Sequence, residues 1–286
     1  MQFVETADGS LSLQDSETRE LYHNRAGAYT EALLSYVQAS GVLKHLERTG
    51  HLHLVDACFG LGYNSFVLLA EAIERNIKCA ITIDAIDINP DLIEALPVVL
   101  RYDKFRRLAE KFELQKRVSY GNLSVELRLH NRSLPDQLST MIATKSSDED
   151  YDLVFHDPFS PNKVPQLWTL DIFLLYQKML LPKQGAVLTY SAATAVRGAF
   201  LDAGFQIART AIVGKKTGGT IAFIPKQSGQ NDFEYFDMED EEIARLATIS
   251  AVPYRDPEFT LDRRAIINRR YDEQAQKRKL APQSTT

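Results

Sequence analysis

Apolar positions along this chain switch repeatedly between two rhythms. Short continuous apolar runs, of the kind buried on both faces of a sheet, recur at 52–57, 80–86, 151–156 and 186–190. Between them lie stretches at 65–75, 90–97, 134–142, 168–180 and 194–203 that predict helices. Val125-Glu126-Leu127-Arg128-Leu129 alternates strictly, so a strand is expected within 118–130. Strands near 205–212 and 219–224, with the short Gly218-Gly219 connection, predict an antiparallel hairpin at the sheet edge. The alternation as a whole predicts an α/β fold, a mostly parallel sheet with helices on both faces. Upstream, Asp8-Gly9 marks a turn between short strands, and 28–39 has helical character ending near Gly41. Downstream, 228–243 reads as a polar insertion, 260–280 as a basic terminal helix and 281–286 as a frayed end. The expected units are 1–50, 51–226 and 227–286.

The first sheet strand runs into Asp56-Ala57-Cys58-Phe59-Gly60-Leu61-Gly62-Tyr63-Asn64, and an apolar stretch, Phe66 to Ala70, follows. That is strand, glycine turn, helix. Two glycines one residue apart let the backbone approach a ligand closely, and the helix behind them points free N–H groups at it. The dinucleotide fingerprint fails, because its third glycine is Ser65 here. A phosphate loop fails too, since no lysine follows Gly62. What remains, an acid, three residues, then Gly-x-Gly, resembles the Rossmann-like class I S-adenosylmethionine-dependent methyltransferases. By that resemblance the cofactor is S-adenosylmethionine, lodged against Asp56, Gly60 and Gly62. Asp87 ends the next strand, where ligands bind in open sheets, and a carboxylate there can accept bonds from both ribose hydroxyls. The plainer reading is that Asp87 and Asn89-Pro90 only open the following helix.

Composition narrows the setting. The chain has 286 residues, 44% of them apolar, enough for one large α/β core. Two cysteines exclude a disulfide framework and suit a reducing compartment. There is no basic start with an apolar core behind it and no run of 18 apolar residues, so neither a signal peptide nor a membrane span is expected. These absences point to the cytoplasm. The net charge of −5 speaks against a broad nucleic-acid coat. It is unevenly spread: 231–242 is densely acidic, and Arg263, Arg264, Arg269, Arg270, Lys277, Arg278 and Lys279 answer it. Such a basic run is either a solvated helix face or a local seat for RNA. No tight His/Cys/Asp cluster suggests a metal.

The fourth sheet strand ends in His156-Asp157-Pro158-Phe159-Ser160-Pro161, on the same sheet edge as Gly60 and Asp87. It resembles the acid-Pro-Pro-aromatic motif of amino-directed methyltransferases, with Phe159 in place of the second proline. Transfer from a sulfonium is an in-line displacement, so the nucleophile needs a lone pair aimed at the methyl carbon. An amine that donates its N–H groups to Asp157 and a neighbouring carbonyl has its lone pair fixed. Pro158 limits the loop's freedom. If the amine arrives protonated, Asp157 or water removes the proton.

These segments together resemble one family. Asp157-Pro158-Phe159-Ser160-Pro161-Asn162-Lys163-Val164-Pro165-Gln166-Leu167-Trp168-Thr169 is similar to the D-x-F-x-P-x-K-x-P-x-x-W-[ST] signature of the tRNA 5-methylaminomethyl-2-thiouridine methyltransferases. That family includes the methyltransferase half of the bifunctional MnmC-type wobble-uridine enzyme. Cys58 to Asn64 resembles its G-F-G-T-G-L-N loop, which adds Phe59 and Asn64 to the cofactor-binding set. Thr189 to Arg197 with Ala203-Gly204-Phe205, the turn Val213 to Lys216, and Thr6 to Ser10 with Tyr22 to Ala28 match further stretches. The likeness covers roughly 5–225. It implies a tRNA whose wobble uridine carries an aminomethyl group, methylated on that amine to 5-methylaminomethyl(-2-thio)uridine. It places Tyr22, His23 and Gly27, in the substrate-side segment 1–50, near cofactor or uridine. Tyr22, Phe159 and Trp168 are candidates to stack on a splayed base. Lys163, Arg197, Lys215 and Lys216 are candidate phosphate contacts. Many such enzymes read the adenine amine with an acid after the third strand; Asn131 is the acceptor at that place here. The bifunctional relatives carry an FAD oxidoreductase domain; with no second glycine fingerprint here, methyl transfer alone is expected. A small-molecule or protein amine on the same fold, and a non-catalytic adaptor, stay as rival readings.

Overall fold

The computed structural model describes residues 3–14, 21–144, 150–180, 185–210, 218–225 and 233–280. Strands β1 (Phe3–Glu5) and β2 (Leu11–Leu13) pair antiparallel across the Asp8-Gly9 turn as a separate small sheet. Helix α1 (Ala28–Ala32) follows, but 28–39 is not one regular helix. Its second half, Leu33–Gln38, is a π-helical turn, a wider winding that often marks a site. Gly41, at φ 66°, then starts α2 (Val42–Thr49), an element the sequence reading lacked.

The α/β core begins with β3 (His51–Ala57), α3 (Tyr63–Glu74), β4 (Cys79–Asp87) and α4 (Leu92–Val99). A short helix α5 (Arg106–Ala109) leads to β5 (Arg117–Tyr120) and β6 (Leu123–Asn131). The single strand expected within 118–130 is therefore two, turned back on each other about Gly121. Next come α6 (Leu134–Thr144), β7 (Leu153–His156), α7 (Leu170–Leu180), β8 (Ala186–Thr189) and α8 (Thr194–Asp202). Strands β9 (Gln206–Arg209) and β10 (Thr220–Phe223), then α9 (Asp240–Leu246) and α10 (Arg263–Leu280), complete the order. The frayed end expected at 281–286 lies outside the described residues.

Eight strands form one sheet in the order β5-β6-β4-β3-β7-β8-β10-β9. The five from β6 to β8 are parallel; β5, β10 and β9 run against their neighbours. The expected antiparallel pair is present, with β10 inserted between β8 and the edge strand β9. Period-two alternation splits the core. Leu52, Leu54, Ile81 and Ile83 pack towards α1 to α5, while Val55, Ala57 and Ile86 pack towards α6, α7 and α8. Both faces are covered, which is why these strands read as unbroken apolar runs. Phe173 of α7 and Phe200 of α8 stack at 3.9 Å; burying each contributes about 1.5–3 kcal/mol. Strand β3 is central, with β4 on one side and β7 on the other, so the chain switches direction across the sheet there. Ligands of such sheets sit outside the carboxyl ends at that switch point.

Candidate active site

The carboxyl ends of β3, β4 and β7 open into a cavity of about 930 Å³. Its walls hold Cys58, Phe59 and Gly60 after β3, Asp87 after β4, and Asp157, Pro158 and Phe159 after β7. Tyr22 and His23 close it from the N-terminal segment, and Asp256, Phe259 and Leu261 from the C-terminal one. Among the described residues, four carboxylates line it, from Glu31, Asp87, Asp157 and Asp256, against one guanidinium, that of Arg132. Such a lining favours cationic occupants.

The glycine loop is held by its own backbone and by Asp87. Cys58 and Phe59 donate their N–H groups to the Ile86 carbonyl at 2.9 and 3.0 Å. Gly60 N–H donates to Asp87 Oδ2 at 2.8 Å, and Asn89 N–H to Oδ1 at 2.9 Å. The Ile88 N–H also bonds this carboxylate, and burial raises the Asp87 carboxyl above its ordinary value, against these bonds. Gly62 has φ 77°, and a Cβ there would meet the Phe59 ring at 2.5 Å and the Phe66 ring at 2.8 Å. Only glycine fits that turn.

Asp56 does not face the cavity. It is fully buried, and its Oδ2 accepts from the Ser65 hydroxyl at 2.5 Å. Burial pushes its carboxyl up to about 8. So Ser65, the residue that breaks the dinucleotide fingerprint, fastens the start of α3 to the end of β3.

Asp157 sits where its carboxylate is pinned from below. Asn64, in the first turn of α3, donates Nδ2 to Asp157 Oδ2 at 2.8 Å. The Tyr36 hydroxyl, from the π-helical turn, carries one proton and lies within reach of both the same side chain and, at 3.2 Å, the His156 carbonyl. Burial raises the Asp157 carboxyl to about 6, although both hydrogen bonds pull it down. The following loop is equally fixed. The Tyr190 hydroxyl donates to the Pro158 carbonyl at 3.0 Å, and Trp168 Nε1–H to the Phe159 carbonyl at 2.8 Å. Trp168 is fully buried, so it positions the loop from within and is no stacking platform. Tyr22 packs edge-on to Phe159, with ring centroids 5.1 Å apart. His23 lies edge-on to Tyr63; burial depresses its imidazole to about 4 despite the pull of Asp8, so it is neutral.

Other expected residues lie elsewhere. Gly27 is off the cavity wall; the Asp8 carboxylate occupies the space a side chain would need, 2.0 Å from an added Cβ. That carboxylate caps α1 through Thr30. Asn131 is exposed and spends its Nδ2 on the Asp87 carbonyl at 3.1 Å; the wall after β6 is Arg132, Ser133, Leu134 and Pro135 instead. Lys163 is exposed and off the cavity wall. Arg197 is a correction: it is 3% exposed, bonded to Thr220 Oγ1 at 2.9 Å and paired with Glu242 at 2.6 Å, out of reach of a phosphate. Lys215 and Lys216 lie outside the described residues. Sequence reasoning missed Tyr36, Glu31 and the 256–261 wall. No local pattern announces them, because each reaches the site from a distant element.

Comparison with known proteins agrees with this geometry. A family profile described as S-adenosyl-L-methionine-dependent methyltransferase matches residues 103–225. An uncharacterized protein of Methanocaldococcus jannaschii is 30% identical over 277 residues, 93% of this chain and 70% of that protein. The tRNA 5-methylaminomethyl-2-thiouridine biosynthesis bifunctional protein MnmC of Ralstonia nicotianae is 24% identical over 221 residues, 72% of this chain but only 32% of its own length. The crystal structure of MnmC2 from Aquifex aeolicus superposes with a TM-score of 0.74 at 27% identity, covering 96% of this chain and 85% of that one. The cofactor is S-adenosyl-L-methionine, and the chain belongs to the MnmC-like family of S-adenosyl-L-methionine-dependent methyltransferases.

Proposed function

We propose that this enzyme methylates the aminomethyl group on the wobble uridine of a tRNA, giving 5-methylaminomethyl(-2-thio)uridine. The observation that carries the reading is the pinned, desolvated carboxylate of Asp157 beside the glycine loop, in a cavity lined by acids. Similarity to MnmC2 and to the bifunctional MnmC supports a tRNA substrate. A cytoplasmic setting goes with that substrate. So does a division of labour in which 51–226 carries the chemistry, 1–50 the substrate side and 227–286 an accessory part.

The residues present suit the cofactor. Gly60 and Gly62 keep side chains out of the loop, Asp87 presents its carboxylate to the cavity for a ribose hydroxyl, and the acidic lining tolerates a sulfonium. Phe59 lines the same wall, and Asn64 acts from beneath through Asp157. When bound, the cofactor supplies an electrophilic methyl group. Asp157 then accepts an N–H of the incoming amine and directs its lone pair; Pro158 and Phe159 hold that acceptor still. With its carboxyl near 6, Asp157 is ionised at neutral pH and able to take the proton that the amine releases. Tyr22 and Phe159 form the wall against which a splayed base would stack.

The test is mass spectrometry of tRNA nucleosides after incubation with S-adenosylmethionine. One added methyl on aminomethyl-uridine is expected. Methylation of free amines with no change in any tRNA nucleoside would favour the small-molecule or protein-amine reading, which the net charge of −5 supports.

A further inference from the structure

We propose that the outer face of α10 is a phosphate-binding surface for the RNA strand that presents the target base. The inference rests on the tRNA reading above and adds where the backbone is held. A phosphate is unwelcome inside a cavity with four carboxylates and one guanidinium. The charges that neutralise the strand must therefore lie outside, near the rim.

Helix α10 is placed there. Phe259 and Leu261, immediately before it, line the cavity, and Arg263 Nε donates to the Asn162 carbonyl at 2.8 Å, in the loop that follows Phe159. Its 18 residues carry seven Lys and Arg against two acids, on a chain whose net charge is −5. One side is anchored. Ile266 is fully buried, Arg270 donates to the Val252 and Ser250 carbonyls, and Gln274 Nε2 donates to the Ile249 carbonyl. About 100° round the helix from that side stand Arg264, Tyr271 and Arg278, all exposed and seven residues apart. Seven residues is nearly two turns, so the three stand in one row, about 10 Å between neighbours. The row thus spans about 21 Å, enough to follow several phosphates of one strand. Tyr271 is 59% exposed between the two arginines, a position from which a ring can stack on an unpaired base. Among the described residues no ion pair or hydrogen bond engages Arg264 or Arg278, whereas Arg197 and Arg209 are tied to Glu242 and Glu239.

The experiment uses the full chain and measures tRNA binding between about 50 and 200 mM salt, with methyl transfer to tRNA and to the free aminomethyl-uridine nucleoside in parallel. Replacing Arg264→Ala together with Arg278→Ala should make the log–log salt slope shallower by about 1.5 and raise KM for tRNA on the order of 10-fold. The nucleoside has no phosphate for these arginines to hold, so its turnover serves as the control. Arg264→Lys with Arg278→Lys should retain the slope, which a mere folding defect would not explain. Tyr271→Ala should weaken binding without changing the slope. Wild-type affinity and slope in the Ala pair, while the parent enzyme methylates tRNA, would overturn the α10 assignment alone. Failure of the parent to bind or methylate tRNA would overturn the substrate class, and this surface with it.

Discussion

Asp157→Asn is the sharpest perturbation, because it keeps the shape of the side chain and removes its charge. In the enzyme Asp157 Oδ2 accepts from Asn64 Nδ2 at 2.8 Å, and the Tyr36 hydroxyl bonds the same carboxylate. The new carboxamide has one oxygen, and those donors claim it. Its NH2 group then turns to the cavity and meets the N–H groups of the amine, donor against donor. A charge-assisted bond of this kind is worth about 1.5–3 kcal/mol, or roughly 10- to 150-fold in rate. Loss of the proton acceptor brings the total to about 10²- to 10⁴-fold in kcat. The pH profile separates this role from a structural one. With the Asp157 carboxyl near 6, wild-type kcat/KM should fall about tenfold per pH unit below that value; the Asn variant should lack this limb. Stability should move the other way. The folded carboxyl sits above its ordinary 3.8, so its contribution is full below 3.8 and lost as pH rises through about 6. At neutral pH the variant escapes that penalty and should unfold no more easily than wild type. Labelled methyl transfer across pH 5–9, with calorimetry of S-adenosylmethionine binding, checks all of this. A variant within a few-fold of wild-type kcat, or one that keeps the acid limb, refutes the assignment.

Four further outcomes are expected. Asp87→Ala should weaken S-adenosylmethionine binding by about 1–3 kcal/mol in calorimetry, through lost ribose bonds and a loosened Gly60 amide; unchanged affinity would remove Asp87 from the site. Tyr36→Phe removes a bond that lowers the Asp157 carboxyl, so the acid limb of the rate profile should shift to higher pH while the maximal rate changes less. Arg197→Ala should cost about 3–5 kcal/mol in denaturant unfolding, because Glu242 is left charged beside a void, with no change in the salt slope of tRNA binding. Asp56→Asn should flatten the stability–pH curve: the wild-type carboxyl, raised from 3.8 to about 8 by burial, gives a contribution that is full below 3.8 and lost through 8, which chemical denaturation at several pH values would display.

The legible part of this protein was whatever short-range pattern dictates. Strands buried on both faces announce themselves as apolar runs, and β3, β4, β7 and β8 start and end within a residue or two of the expected bounds. The glycine loop was readable because Gly62 tolerates no Cβ. The misplacements share one cause. Arg197 carries the charge of a phosphate ligand, but only tertiary structure shows Glu242, 45 residues away, already facing it. Asp56 belongs to the cofactor motif by position, yet its partner is Ser65, and burial keeps it off the cavity. Tyr36 lies 120 residues before the carbonyl it bonds, on a π-helical turn that no periodicity predicts. The 256–261 wall was invisible for the same reason: Asp256 reaches its place by accepting from Thr260 and Leu261 and by donating its N–H to Asp171.

The charge distribution joins these observations. On the tRNA reading proposed above, a sulfonium and an amine are both favoured by the acidic cavity, while an anionic strand has to approach the same opening. Carboxylates inside and the proposed phosphate contacts on α10 would resolve that conflict through distance, since interactions between exposed charges fade beyond about 10 Å in salt. The interior carboxylates are screened little, so the ammonium form of the substrate amine is held well, and this form lacks the lone pair that transfer needs. Productive binding therefore requires a carboxylate basic enough to accept a proton yet ionised at neutral pH. Asp157, near 6 and on the cavity wall, meets both conditions. Burial of this carboxylate, opposed by its Tyr36 and Asn64 hydrogen bonds, is what sets it there.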